Sequence, residues 1–448
     1  MSVEVQADEL EQVVHPGQVA EGPAPALEHL ADLGDAFMPI ERGGQQSQRC
    51  ARLRRAARWR GERGGGQVAE LYEELRSAVA LEGDRALIRI RAVYEPAGGQ
   101  AARIYPPTYP ANAGDSPYVT ERKLVDGEVR TDVLLDSVQS QANRAEEALL
   151  QAHRERRVRL PLLQIEHDGA TQVRLTSLEL PHRYADAYLV DSRIDGVPFD
   201  KTELGKAFLA ATGADASALL RHDPGSLVFG AWNSHRKGRQ AKFPRIYASE
   251  IVGWDPQIGD RKAGRMDPLN LVGSGNRGVE GELSFSAVGE KVKGEKLSEL
   301  GHGNIAPNRA HGGVTVSSAE RIATVSMAGL ARLGFGDASA EAVLAARVLL
   351  AAYALMADRL AFGRPSLWLR SGCELVTRSE SLQWVARGGA VQPIDVSVAE
   401  AITLYDTALA TAAEQGLGLD LKPVTLQPGP GLAKAIDFAL TKADTAGD

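Results

Sequence analysis

Leu134-Leu-Asp-Ser-Val-Gln-Ser-Gln-Ala-Asn-Arg-Ala-Glu146 decides the fold class. The short apolar lead-in from Val133 to Leu135 reads as the end of a strand, and Asp136 or Ser137 then supplies the side-chain oxygen that opens a helix. That helix is predicted to run to about Arg156. Val138, Ala142, Ala145 and Leu149 recur at helical spacing and form its core face. Ser137, Ser140, Gln141 and Arg144 form a second face. Its first turn holds uncharged hydrogen-bonding side chains where a merely solvated helix carries Lys and Glu. Ser137, Gln139, Ser140, Gln141, Asn143 and Arg144 therefore read either as contacts to phosphate and ribose or as amides packed against a neighbouring element.

The surroundings extend this strand-to-helix step into an α+β order. A helix is predicted over Val68 to Leu81 and an alternating, half-buried strand over Leu87 to Tyr94. Further strands are predicted at Val173 to Leu180, Ala187 to Val190, Leu227 to Trp232, Arg245 to Val252, Arg321 to Leu333 and Glu374 to Trp384. Helices are predicted at Thr202 to Thr212, Ala338 to Phe362 and Val396 to Glu414. Residues 253–313, rich in Gly, Lys, Arg and Asn, read as long loops or an inserted subdomain. No repeat of 20–50 residues is visible.

The chain has 448 residues, 44% of them apolar, so it can bury a sizeable core as one large or two ordinary domains. Its net charge is −7. Cys50 and Cys373 are its two cysteines and lie far apart, which supports neither a disulfide framework nor a zinc site and fits a reducing cytoplasm. No run has the composition of a membrane span or an export signal. Residues 1–67 differ from the rest, with no lysine and eight arginines that include Arg52, Arg54, Arg55, Arg58 and Arg60. They read as a tail without a core, as a start placed too far upstream, or as a basic nucleic-acid arm.

Against the acidic background, one segment stands apart. After the apolar run ending at Trp232, Ser234, Arg236, Lys237, Arg239, Lys242 and Arg245 follow without an acid before the next strand. Five cations between two strands form a basic hairpin whose repulsion a polyanion relieves, and the flanking aromatics can stack bases. A solvated hairpin tip is the competing reading. Ser177-Leu-Glu-Leu-Pro-His-Arg-Tyr-Ala-Asp-Ala187 is the other polar cluster. As an acid/base site it would use His182 with Glu179 or Asp186. As a strand end it would pair Arg183 with Asp186, and as a phosphate contact it would use the planar fork of Arg183. Val272-Gly-Ser-Gly-Asn-Arg-Gly278 matches a dinucleotide-binding string but lacks the strand-to-helix context that gives the string meaning.

Taken in order, the Ile104-Tyr-Pro-Pro-Thr-Tyr109 loop, the 134–146 stretch, Ser177 to Ala187, Phe229-Gly-Ala-Trp-Asn-Ser234 and Arg245-Ile-Tyr-Ala-Ser-Glu-Ile251 resemble one family. It is the Cas-seven-type backbone subunit of type I-G (formerly I-U) CRISPR interference complexes, in the RAMP superfamily. The resemblance runs from about residue 68 to the C-terminus. It implies a modified RRM-like, ferredoxin-like core with large loop and hairpin insertions. It implies partners: CRISPR RNA, the target DNA strand through the guide heteroduplex, further copies of the chain and other subunits of the complex. It implies neither cofactor nor catalysis, with sequence reading left to base pairing. The compact aromatic signature of ordinary RRMs is lacking, so sheet-face stacking is not expected. The competing enzyme reading is a metal-independent CRISPR RNA processing endoribonuclease using His182 and Tyr184.

Overall fold

Strand β1 (Arg85–Pro96) buries its even-numbered side chains, Ile88, Ile90, Ala92 and Tyr94, and turns Arg89 and Arg91 the other way. That alternation makes it the centre of the molecule. A computed structural model describes residues 66–80, 82–110, 115–169, 171–233, 242–259, 263–278, 281–288, 294–308, 312–369 and 373–446. Helix α1 (66–78) precedes β1 and inserts Val68, Leu71, Tyr72 and Leu75 into the core. After β1 come β2 (Thr120–Val125), β3 (Glu128–Asp136) and α2 (Val138–Arg154). Then follow β4 (Tyr247–Trp254), β5 (Ser318–Ser326), α3 (Ala340–Phe362), β6 (Ser366–Leu369), β7 (Cys373–Ala386), β8 (Val391–Ile394) and α4 (Val398–Glu414).

These strands form one antiparallel sheet in the order β6-β7-β1-β5-β4-β3-β2, with β8 also paired to β7. Its middle is diagnostic. Read along the chain, β1-α2-β4-β5-α3-β7 is a βαββαβ unit, and its strands lie in the spatial order fourth, first, third, second. This is the split arrangement of ferredoxin-like and RRM-like folds. The α+β class and the RRM-like core are thus as the sequence implies. Helices α2 and α3 cover one face. The opposite face carries Arg89, Arg91, Ile322, Thr324, Ser381 and Gln383 at its centre, and its aromatic, Trp254, lies buried under Arg130. A second sheet orders Gln172–Thr176, Leu163–Asp168, Val424–Pro428, Ser192–Ile194 and Val197–Pro198.

Local chemistry explains where helices begin. The hydroxyl of Ser137 accepts the Ser140 N–H at 3.3 Å and opens α2, as expected. Ser397 and Glu400 form a reciprocal capping box at the start of α4. Helix α3 starts behind Ser339 and is so rich in Ala and Leu that it is long and apolar enough to cross a membrane, which corrects the reading that no run has the composition of a membrane span. It is instead mostly buried as the core helix of this fold, and it is the one described helix that meets that criterion.

Caps also account for the expectations that the structure corrects. Ala187–Val190 is a helical turn rather than a strand, because the Asp186 carboxylate accepts the Tyr188 N–H and starts a helix. The apolar run Leu227 to Trp232 is not one strand. Asp223 caps a helix over Pro224–Val228 with proline at its first position, and only Ala231–Trp232 is extended. Likewise the strand starting near Arg321 stops at Ser326, whose hydroxyl caps the helix Met327–Ala331. The strand expected over Val173 to Leu180 ends at Thr176, where the Glu179 carboxylate takes the Thr176 N–H and hydroxyl. Residues 253–313 carry short strands among their loops, including a three-stranded sheet of Ser274–Arg277, Leu283–Ser286 and Glu295–Lys296. The GxGxxG string lies at the first of these strands, and the next described element is a strand, Leu283–Ser286.

Candidate nucleic-acid interface

The basic segment is rooted in a real hairpin. Ala231 pairs with Phe243 and Trp232 with Lys242 in antiparallel register. Gly230 makes the approach possible: its φ is +83°, and a Cβ there would meet Cγ of Arg245 at 2.9 Å and the Phe243 carbonyl at 3.1 Å. Phe243 is buried, so one aromatic of the pair belongs to the core. Trp232 is 54% exposed, and the Lys242 ammonium lies 5.4 Å from its ring centroid. Lys242 and Arg245 are both exposed, and no described carboxylate pairs with either. Ser234, Arg236, Lys237 and Arg239 lie outside the described residues.

On α2 the candidate face divides into three. Gln139 and Asn143 are exposed, and Ser137 and Ser140 are half-buried beside them. Arg144 is half-buried, with Nε 2.7 Å from Asp136 Oδ2 and an Nη1 bond to the Trp368 carbonyl. Gln141 has no exposed surface. Its amide donates to Asp136 and accepts the Ser249 hydroxyl at 2.8 Å. Ser249 in turn accepts from Arg321, a wholly buried side chain that pairs with Asp358. Arg359 bonds Asp358 and forks onto Glu380. A continuous polar chain thus runs through the interior from Arg144 to Glu380. A buried network survives only if its members find partners, which accounts for the amide at position 141.

His182 is exposed, and its backbone N–H donates to Asp186. Arg183 does not pair with Asp186. Its Nε and Nη2 reach the two oxygens of Glu146 at 2.6 and 2.9 Å, and its Nη1 donates to the Gly230 carbonyl at 2.9 Å. The side chain is 13% exposed. Burial pushes the Glu146 carboxyl up, to about 7, against the opposing attraction of Arg183. Tyr184 is buried edge-on to Phe208 and Phe243.

Sequence reasoning missed Trp368. It is 66% exposed on β6 between buried Leu367 and Leu369, a bulky aromatic in the polar phase of a strand, and that phase was the available signal. It borders a groove of about 1000 Å³ shared with Asn143, Arg144, Arg154 and Arg364, along with Glu147 and Glu179.

Residues 88–257, from within β1 to just past β4, match the model of the family described as CRISPR-associated protein GSU0053 (Cas_GSU0053). Over these residues the chain is similar to CRISPR-associated proteins of that family. The matched stretch contains α2, the Ser177–Ala187 cluster and the whole hairpin segment, so the candidate residues lie inside the family's own territory. Among curated proteins the chain finds no match.

Proposed function

We propose that this CRISPR-associated chain is a non-catalytic backbone subunit of a type I-G (formerly I-U) interference complex in the cytoplasm. In this reading, copies of it line up along CRISPR RNA together with the other subunits. They hold the guide by its phosphates and leave its bases to pair with the target DNA strand. The observation that carries the reading is the hairpin root, where exposed Trp232 lies against Lys242 and Arg245 stands beside them, with no acidic partner among the described residues. Cations without acids favour phosphates, and an exposed indole favours a base or ribose face. Burial of Tyr184 in an aromatic cluster while His182 faces solvent supports the non-catalytic form over the endoribonuclease.

The test is a salt series of binding to a labelled single-stranded CRISPR RNA. Each phosphate neutralised contributes about 0.7 to the log–log slope. Replacing Arg236, Lys237, Arg239, Lys242 and Arg245 by Gln should weaken binding by decades and flatten that slope, whereas scrambling the spacer should matter little. An unchanged slope in the variant, or strong preference among spacers of equal length, would refute the backbone grip. Repeat RNA cleaved in EDTA, with cleavage lost in His182→Ala, would establish the enzyme instead.

A further inference from the structure

Two surfaces carry the candidate contacts, the outer face of α2 and the hairpin root, and one side chain joins them. Arg183 sits on neither. Its guanidinium spans both oxygens of Glu146, on α2, and the carbonyl of Gly230, the residue at which the chain turns into the hairpin. The same guanidinium lies 5.6 Å from the ring centroid of Phe229, which is buried immediately before that turn. To make this reach, Arg183 adopts a φ of +52°, a conformation that costs a non-glycine residue free energy and persists where surrounding contacts hold it. Gly230, at φ +83°, is the matching left-handed residue on the other side of the contact.

We propose that Arg183 is a positioning residue which clamps the hairpin root to α2, so that Trp232, Lys242 and Arg245 keep a fixed orientation relative to Ser140 and Asn143. The inference rests on the RNA-binding reading above and assigns Arg183 a role within it other than phosphate contact. Three donors from one planar fork define a direction as well as a distance. A lysine at this position would keep the charge facing Glu146, but its compact ammonium cannot span the carboxylate and the carbonyl in the same geometry. Asp223, buried nearby, accepts from the N–H and hydroxyl of Ser226, and burial raises its carboxyl against the attraction of Arg183. The cation is therefore required for the fold, and the fork for the alignment.

The experiment uses the full chain, a labelled single-stranded RNA of guide length, and the variants R183K, E146Q, W232A and K242Q. Melting reports the fold, Kd reports binding, and the emission of Trp232, isolated by difference from W232F, reports the hairpin root. The expected result is that R183K melts within a few degrees of the parent, shifts the Trp232 emission, and binds RNA at least tenfold more weakly. W232A and K242Q should each weaken binding with the fold intact. A folded R183K that binds normally, while W232A and K242Q do not, overturns the clamp and leaves the RNA reading standing. Normal binding by W232A and K242Q overturns the RNA reading of the hairpin, and the clamp's role in binding with it. Should R183K fail to fold, E146Q decides: it removes the charge and keeps one acceptor, and a normal Trp232 emission with normal Kd overturns the clamp.

Discussion

Removing the Asp358 carboxylate should expose what the buried polar chain contributes. Arg321 on β5 has no exposed surface, and its ionic partners are Asp358 and, more distantly, Glu380 at 3.9 Å. Arg359 keeps its own fork onto Glu380. In Asp358→Leu two buried guanidiniums share one carboxylate, and the interior gains an uncompensated positive charge. The Tyr247 hydroxyl, which donates to Asp358 at 2.8 Å, loses its acceptor as well. Breaking a buried pair from one side costs about 3–5 kcal/mol. With an unfolding entropy of about 2.1 cal/mol/K per residue, in a fold of this size that lowers the melting temperature by about 4–6 °C. The double variant Arg321→Met with Asp358→Leu restores neutrality around Arg359 and Glu380. It should recover most of the loss, short by about 1–3 kcal/mol for the unpartnered Tyr247 hydroxyl. Calorimetry on the parent, both single variants and the double variant checks this. If the double variant melts no higher than Asp358→Leu, uncompensated charge is not the source of the cost and the reasoning fails.

The carboxyl of Glu146 titrates near 7 in the fold and near 4.5 unfolded, so the native state holds a proton that the unfolded chain has released between those values. Stability should therefore fall as pH rises from about 4.5 to about 7, and E146Q should flatten that part of a urea-midpoint profile. An identical profile in E146Q would show that other groups, buried Asp223 first among them, carry the dependence. Burial raises the Cys373 thiol to about 11, so in a C50S background a thiol reagent should label it only as fast as the protein opens. Rapid stoichiometric labelling of the native protein would contradict this. A Cβ at Gly205 would collide with the Phe199 carbonyl, so Gly205→Ala should destabilise by about 1–3 kcal/mol, read as a lower urea midpoint.

Much of the core was legible because it obeys one period at a time. The even-numbered residues of Leu87 to Tyr94 face inwards as alternation requires, and α2, α3 and α4 begin within two residues of where caps and apolar spacing place them. Failures fall where a cap interrupts an apolar run. Asp186 and Asp223 just before, and Ser326 within, stretches that pattern alone reads as strand each start a helical turn, and one hydrogen bond decides the matter. For the interface, the hairpin root and the exposed edge of α2 follow from local pattern. The partners of Gln141 and Arg183 do not. Ser249 lies 108 residues from Gln141, and Glu146 lies 37 from Arg183, so no local window contains either pairing. A polar residue at helical spacing looks the same whether it faces solvent or a buried acceptor.

The sixty-odd residues between β4 and β5 enter and leave the sheet at one point. Trp254 is in register with Ser318, and the ladder continues outwards through Gln257 with Thr315 and Ile258 with Val314. In topological terms they are an overgrown hairpin loop, and the two strands that bracket them would be neighbours whatever lies between. Closing a loop grows costlier only with the logarithm of its length, so shortening or replacing this one barely changes the free energy of bringing β4 and β5 together. The fold therefore offers a socket beyond the pair of Ile258 with Val314, whose buried Val314 and Val316 belong to the core: a place where an appendage can be exchanged while the βαββαβ frame stays in register.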